Sequence, residues 1–123
     1  MKIIIPINPV TKKNHNQVVM INGRPMVLPS KPYREYEKEC KKYIPVLREP
    51  PINYEINLKC YYYMKTKRKC DITNLLQATC DMLVKYGILE DDNYTIVAST
   101  DGTRVFYDKE NPRTEIYIEK KDE

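Results

Sequence analysis

Residues 69–94 read KCDITNLLQATCDMLVKYGILEDDNY, and the rest of the chain can be arranged around them. On a helix starting at Ile72, Leu75, Leu76, Thr79, Leu83 and Tyr86 recur at three- and four-residue spacing and share one stripe. Asn74, Gln77, Asp81 and Lys85 fall on the other side as a polar line. The spacing predicts an amphipathic helix facing a core and ended by Gly87 in a left-handed cap. About fifteen residues at roughly 1.5 Å each make it a spacer of about 22 Å. Asp71 stands at its mouth, and Glu90, Asp91 and Asp92 lie just past its end. These carboxylates meet only if the chain turns back along the helix, and a strand starting near Asn93 and running antiparallel to the helix is expected to do that.

A chain of 123 residues with 41% hydrophobic content can bury one core, so a single domain spanning 1–123 is expected. Eleven Tyr, one Phe and no Trp give that core an unusual aromatic content. The net charge of +4 is modest, so attraction to nucleic acid must come from clustering, as in Lys65, Lys67, Arg68 and Lys69. Cys40, Cys60, Cys70 and Cys80 lack the two-residue spacing of a zinc knuckle, and His15 is distant from them, which argues against a structural zinc site. No leader-like or membrane-spanning apolar run is present, so reduced thiols in a cytoplasm are expected. Cys40 and Cys60 fall at core-facing positions.

In chain order, residues 2–7 (KIIIPI) predict a strand with Pro6 at an edge or end. The loop NPVTKKNH precedes a hairpin over 17–28, where Asn22-Gly23 supplies the turn. Ser30 caps a helix with Pro32 in its first turn and Tyr33, Tyr36, Cys40 and Tyr43 on its apolar stripe, ending before Pro45. Three prolines between 45 and 51 make a stiff connector. Residues 54–64 alternate as a two-faced strand, with Tyr61 and Tyr63 on the more polar face as ordinary half-buried tyrosines. Residues 94–98 and 104–107 have strand composition, interrupted by Asp101-Gly102 as a tight turn or a bulge. Residues 113–119 form the last strand, and the tail KKDE is expected to fray. This order predicts an α+β domain: a mixed, largely antiparallel sheet with two helices packed on it.

Asp71, Asp91 and Asp92 offer hard oxygen ligands suited to Mg²⁺, with Mn²⁺ as a substitute, and such ions hold a phosphate while activating water. Carboxylates alone do not establish this, because a DD pair after a helix is ordinarily a solvated turn. The basic run just before Asp71 adds the means to draw a phosphate backbone to the same strand end.

The string DITNLLQATCDMLVKYGILEDD resembles the motif of the RusA family of Holliday-junction resolvases, in which Asp-x-Asp-Asn opens a helix that ends in Gly before an Asp-Asp pair. The N-terminal strand, the PVTKKN loop, the hairpin, the Tyr-rich helix and the strand before the motif are also similar to the family, particularly its phage and prophage members. The resemblance implies a RusA-like fold and a homodimeric, Mg²⁺-dependent endonuclease that nicks two opposed strands of a four-way DNA junction, with no organic cofactor and no membrane. It assigns Asp71, Asn74, Asp91 and Asp92 to catalysis, with Asp71, Asp91 and Asp92 as metal ligands and Asp92 at the family's catalytic position. Two departures stand out: Thr73 replaces the motif's second Asp, and Gln77 replaces a Lys one turn into the helix. Thr73 brings an oxygen but no charge, so Asp81 or Glu90 would have to compensate. Losing the Lys removes a cation suited to a phosphorane-like state, for which Lys69, Lys13 or Lys85 are substitutes.

The expected mechanism has Asp71 and Asp92 on the ion, Asp91 supplementing them and Asn74 orienting the cluster. Lys12, Lys13, Lys67, Arg68 and Lys69 contact phosphates without sequence choice. A rival of another class is a branched-DNA-binding protein that keeps the fold and has lost the chemistry. A third, a basic protein acting on RNA, rests on charge and tyrosines alone.

Overall fold

A computed structural model describes residues 1–12 and 17–121 of the chain. In order these form β1 (Lys2–Ile5), β2 (Gln17–Ile21), β3 (Arg24–Leu28), α1 (Lys31–Cys40), β4 (Ile56–Met64), α2 (Ile72–Lys85), β5 (Val97–Ser99), β6 (Arg104–Tyr107) and β7 (Arg113–Lys120). Alternation along β4 buries Ile56, Leu58, Cys60 and Tyr62 on one face, and β7 does the same with Thr114, Ile116 and Ile118. β7 runs antiparallel between β1 and β4, while β5 and β6 both pair parallel to the other side of β4. The result is the expected α+β architecture, with α1 and α2 over the buried face. No helix among the described residues is long and apolar enough to cross a membrane.

α2 buries Leu75, Ala78, Thr79, Met82 and Leu83, a stripe rotated slightly from the expected one so that Leu76 and Tyr86 are only half buried. Its seam with the sheet contains a polar contact, Tyr62 Oη to Thr79 Oγ1 at 2.7 Å. The helix ends as expected. Gly87 takes φ +79°, its N–H donates to Val84 O, and the Ile88 N–H donates to Leu83 O, which together form a Schellman cap. The hairpin also forms as expected, with φ 51° at Asn22 and 76° at Gly23. Ser30 Oγ accepts from Tyr33 N–H at 3.4 Å, and α1 stops at Cys40 in a short 3-10 turn, Lys41–Tyr43.

Three strand limits change, the first being β1, which ends at Ile5 rather than at residue 7. β4 begins at Ile56, because Tyr54 stays solvent-exposed, and β5 begins at Val97 rather than Tyr94. Asn93 holds the intervening residues in a local turn: its Oδ1 accepts from Thr95 N–H at 2.9 Å, and its carbonyl accepts from Ile96 and Val97. The alternatives at Asp101-Gly102 resolve toward a tight turn: Thr103 N–H donates to Thr100 O at 3.2 Å, and Gly102 takes φ +88°. β5 pairs with the start of β4 and β6 with its end, so the two form one interrupted edge strand. Thr103 bridges the gap, accepting from Cys60 N–H at 3.1 Å and donating to Leu58 O at 3.3 Å.

Candidate active site

Polar groups along the solvent side of α2 divide into two stations. The first is at its N-terminus. Asp71 is the N-cap, and Asn74 Nδ2 donates to Asp71 Oδ2 at 3.3 Å. The basic loop leads into it: Arg68, Lys69 and Cys70 share a groove with Asn8, Pro9, Val10 and Thr11, and Lys65 N–H donates to Asn8 Oδ1 at 2.9 Å. Lys67 lies over the Tyr107 ring, 5.0 Å from its centroid. The N-terminal loop and the basic run therefore form one surface beside Asp71.

The second station lies in the last turns of α2. A cavity of about 570 Å³ is lined by Lys12, Tyr33, Glu37, Asp81, Asp91 and Asp92, among others. Asp81 is its hub, since Oδ2 accepts from Lys12 Nζ at 2.8 Å and Oδ1 from Gln77 Nε2 at 2.9 Å. Lys85 is paired with Glu37 of α1. Asp91 is held below the ordinary carboxylate range by the Asp92 N–H, which donates to its Oδ1 at 2.7 Å, and by the Asn93 amide at 2.9 Å. Asp92 moves the other way: partial burial pushes its pKa up, and the charges of Asp91 and then Asp81 add to that. Burial, then the charges of Glu37 and Asp81, also raise the phenol of Tyr33.

The expected return of the acidic run to Asp71 does not occur within one chain. Ile52 bridges Leu89, Glu90 N–H donates to Ile52 O, and Ile56 of β4 pairs with Val97, so the chain after α2 re-enters the sheet at the beginning of β4. Asp71 follows the end of β4 and lies ten residues before Asp81, about 15 Å along the helix axis at 1.5 Å per residue. Asp91 and Asp92 thus line one cavity with Asp81 and Lys12, and Asp71 is not among its lining residues. Among the described residues no three His, Cys, Asp or Glu side chains gather closely enough to hold a metal ion. Glu90 is exposed and does not line the cavity, whereas Asp81 does. Lys13 lies outside the described residues.

Sequence reasoning did not find Tyr33 and Glu37 as cavity residues. Their helical spacing, i and i+4, was the available signal, because it puts Glu37 on the edge of the stripe that Tyr33 anchors.

The site can place two neighbouring carboxylates, one of them with a raised pKa, in one cavity with a lysine. Charge of this kind suits a phosphodiester with a divalent cation. No curated protein matches the chain. The model of the family described as Endodeoxyribonuclease RusA matches residues 6–119, which cover the central strand, both stations and the basic loop. The chain belongs to the RusA endodeoxyribonuclease family.

Proposed function

We propose that this protein is a Mg²⁺-dependent endonuclease that resolves four-way DNA junctions by paired nicks, acting as a homodimer, with Asp92 and Asp91 at the reacting phosphate. The observation that carries the assignment is the cavity in which Asp91 and Asp92 stand with Asp81 and its partner Lys12, in a chain matched over residues 6–119 by the RusA endodeoxyribonuclease family. Carboxylates that repel one another in a half-buried site gain from a divalent cation between them and the substrate. Mg²⁺ commonly uses one or two protein carboxylates and completes its shell with water and substrate phosphate, so the Asp91–Asp92 pair fits it without a third acidic ligand. When bound, such an ion neutralises phosphate charge and acidifies a coordinated water.

The chain's own groups do the rest. Asp92 and Asp91 would hold the ion, and the N–H and amide donors around Asp91 favour its charged form. Asp81 holds Lys12 toward the phosphate, where the ammonium contributes positive charge that Gln77 cannot. Lys67, Arg68 and Lys69 take backbone phosphates on the neighbouring DNA arm, joined by Lys13. Asp71, turned by Asn74, is the second acidic group at the DNA surface and is needed for cleavage through the family motif it occupies.

The test is nicking of a synthetic four-way junction with and without Mg²⁺, for the native chain, Asp92→Asn and Asp71→Asn, beside linear duplex. Expected are Mg²⁺-dependent paired nicks on the junction alone, lost in both variants while junction binding persists. Full nicking by Asp92→Asn refutes the assignment of the site. The separation of Asp71 from Asp92, together with Thr73, favours one alternative, a branched-DNA-binding protein without chemistry. Tight junction binding by the native chain with no nicks in Mg²⁺ or Mn²⁺ is its mark.

A further inference from the structure

The face of the sheet opposite the helices carries four of the chain's twelve aromatic rings, including its only Phe. Strand register sets them in three rows. Lys2, Tyr117 and Lys59 stand side by side across β1, β7 and β4. Glu115, Tyr61 and Arg104 form the next row, and Arg113, Tyr63 and Phe106 the third. Successive rows lie about 6.8 Å apart, two residues along a strand.

The rings contact one another: Tyr63 stacks on Phe106 at 4.8 Å, and Tyr61 meets Phe106 and Tyr117 edge-on at 5.6 and 5.5 Å. Cations lie over each of them. Arg113 is 3.7 Å from the Tyr63 centroid, Lys59 4.8 Å from Tyr117 and 5.4 Å from Tyr61, and Arg104 5.1 Å from Phe106. The one acidic residue in these rows, Glu115, is ion-paired with Arg113 Nε at 2.7 Å and accepts from the Tyr117 hydroxyl at 2.7 Å. The surface therefore presents half-buried rings among cations, of which Arg113 is spent on Asp108 and Glu115 while Lys2, Lys59 and Arg104 flank the rings. A solvent face with no ligand requires neither the concentration of rings nor the excess of positive charge.

We infer that this open face of the sheet binds single-stranded DNA, with bases stacking on Tyr61, Phe106 and Tyr117 and phosphates meeting Lys2, Lys59 and Arg104. Stacking on aromatic platforms combined with a cationic track is how sequence-tolerant single-strand binders work, and a duplex cannot offer its bases to such a surface. The face lies on the other side of the sheet from the acidic cavity, so it provides a second DNA contact, for a strand unpaired near the branch point. It does not depend on cleavage.

The experiment is anisotropy of a dye-labelled oligothymidylate of about a dozen nucleotides, against a blunt duplex of equal length. The native chain should bind the single strand more tightly than the duplex. Phe106→Leu, which keeps apolar bulk and should keep the circular dichroism spectrum, should weaken it about tenfold, the loss of one stacked base. Lys59→Gln with Arg104→Gln should lower the salt slope by about 1.4. Asp92→Asn should leave single-strand binding unchanged, so failure of the nicking assay does not bear on this result. Equal affinity for duplex and single strand overturns the inference. So does unaltered binding in a folded Phe106→Leu variant. If Phe106→Leu instead converts a dimer to monomers in sedimentation while oligothymidylate binding is unaffected, a second copy of the chain occupies the face and the inference is likewise wrong.

Discussion

Thr79→Val tests the seam between α2 and the sheet. Thr79 has one hydroxyl proton and donates it to Leu75 O at 3.1 Å, so in the 2.7 Å contact with Tyr62 the tyrosine is the donor. Tyr62 is only 1% exposed, so water cannot replace Thr79 if the acceptor is removed. Thr79→Val then leaves a buried donor unpaired and should cost about 1–3 kcal/mol. Tyr62→Phe removes the donor and leaves Thr79 bonded to Leu75, so it should cost less, about 0.5–1.5 kcal/mol. In the double variant no donor is orphaned, and its loss should match that of Tyr62→Phe alone within about 0.5 kcal/mol. Urea unfolding followed by far-UV circular dichroism gives the three values, and each kcal/mol should also lower the melting temperature by about 4 °C. A double variant whose loss equals the sum of the singles would refute the reasoning, since the two groups would then act independently.

Asp92→Asn should be more stable than the native chain at pH 7 while inactive. The pKa of Asp92 is raised on folding, so the native chain loses stability as pH rises from the unfolded carboxylate value through the folded one, and the variant does not; the difference should vanish below the unfolded value in pH-dependent melting. Lys12→Met should slow junction nicking well beyond its effect on stability, which for a partly exposed pair should stay within about 1 kcal/mol by urea unfolding. Gly87→Ala meets no atom within 4 Å but must hold φ +79°, so only backbone strain of about 1–2 kcal/mol is expected in the same assay. Burial pushes the Cys60 and Cys80 thiols up to about 12 and Cys40 to about 11, so a thiol reagent at mildly alkaline pH should modify exposed Cys70 first and leave a slow remainder.

The parts of the fold that were legible in the sequence are those set by local chemistry. Asn22-Gly23 dictates the hairpin turn, and Leu75, Thr79 and Leu83 followed by Gly87 dictate α2 and its end. The alternation of β4 separates Tyr62, which is buried, from Tyr61 and Tyr63, which face outward. The start of β5 was not legible because YTIV has strand composition, and only the hydrogen bonds of Asn93 tip those residues into a turn. The site was half legible. Asp91, Asp92 and Lys12 could be picked from residue type and motif, but the Lys12–Asp81 pair spans 69 positions and arises from the path of the N-terminal loop, which no local pattern encodes. The separation of Asp71 from Asp92 likewise depends on which end of β4 receives the returning chain.

The interrupted edge formed by β5 and β6 also limits how the protein can associate with itself. A foreign strand adding to that side of the sheet would find three residues of backbone at β5, a break at residues 100–103, and four more residues at β6. At the opposite edge, β1 offers four residues before Pro6, which has no N–H to give. Neither border supplies a continuous ladder, so sheets of two molecules cannot readily fuse into a longer one, and the chain is guarded against strand-by-strand aggregation at both sides. A homodimer of the kind proposed above would, at this sheet, meet through side-chain surfaces, which can separate and re-form without unravelling the strands.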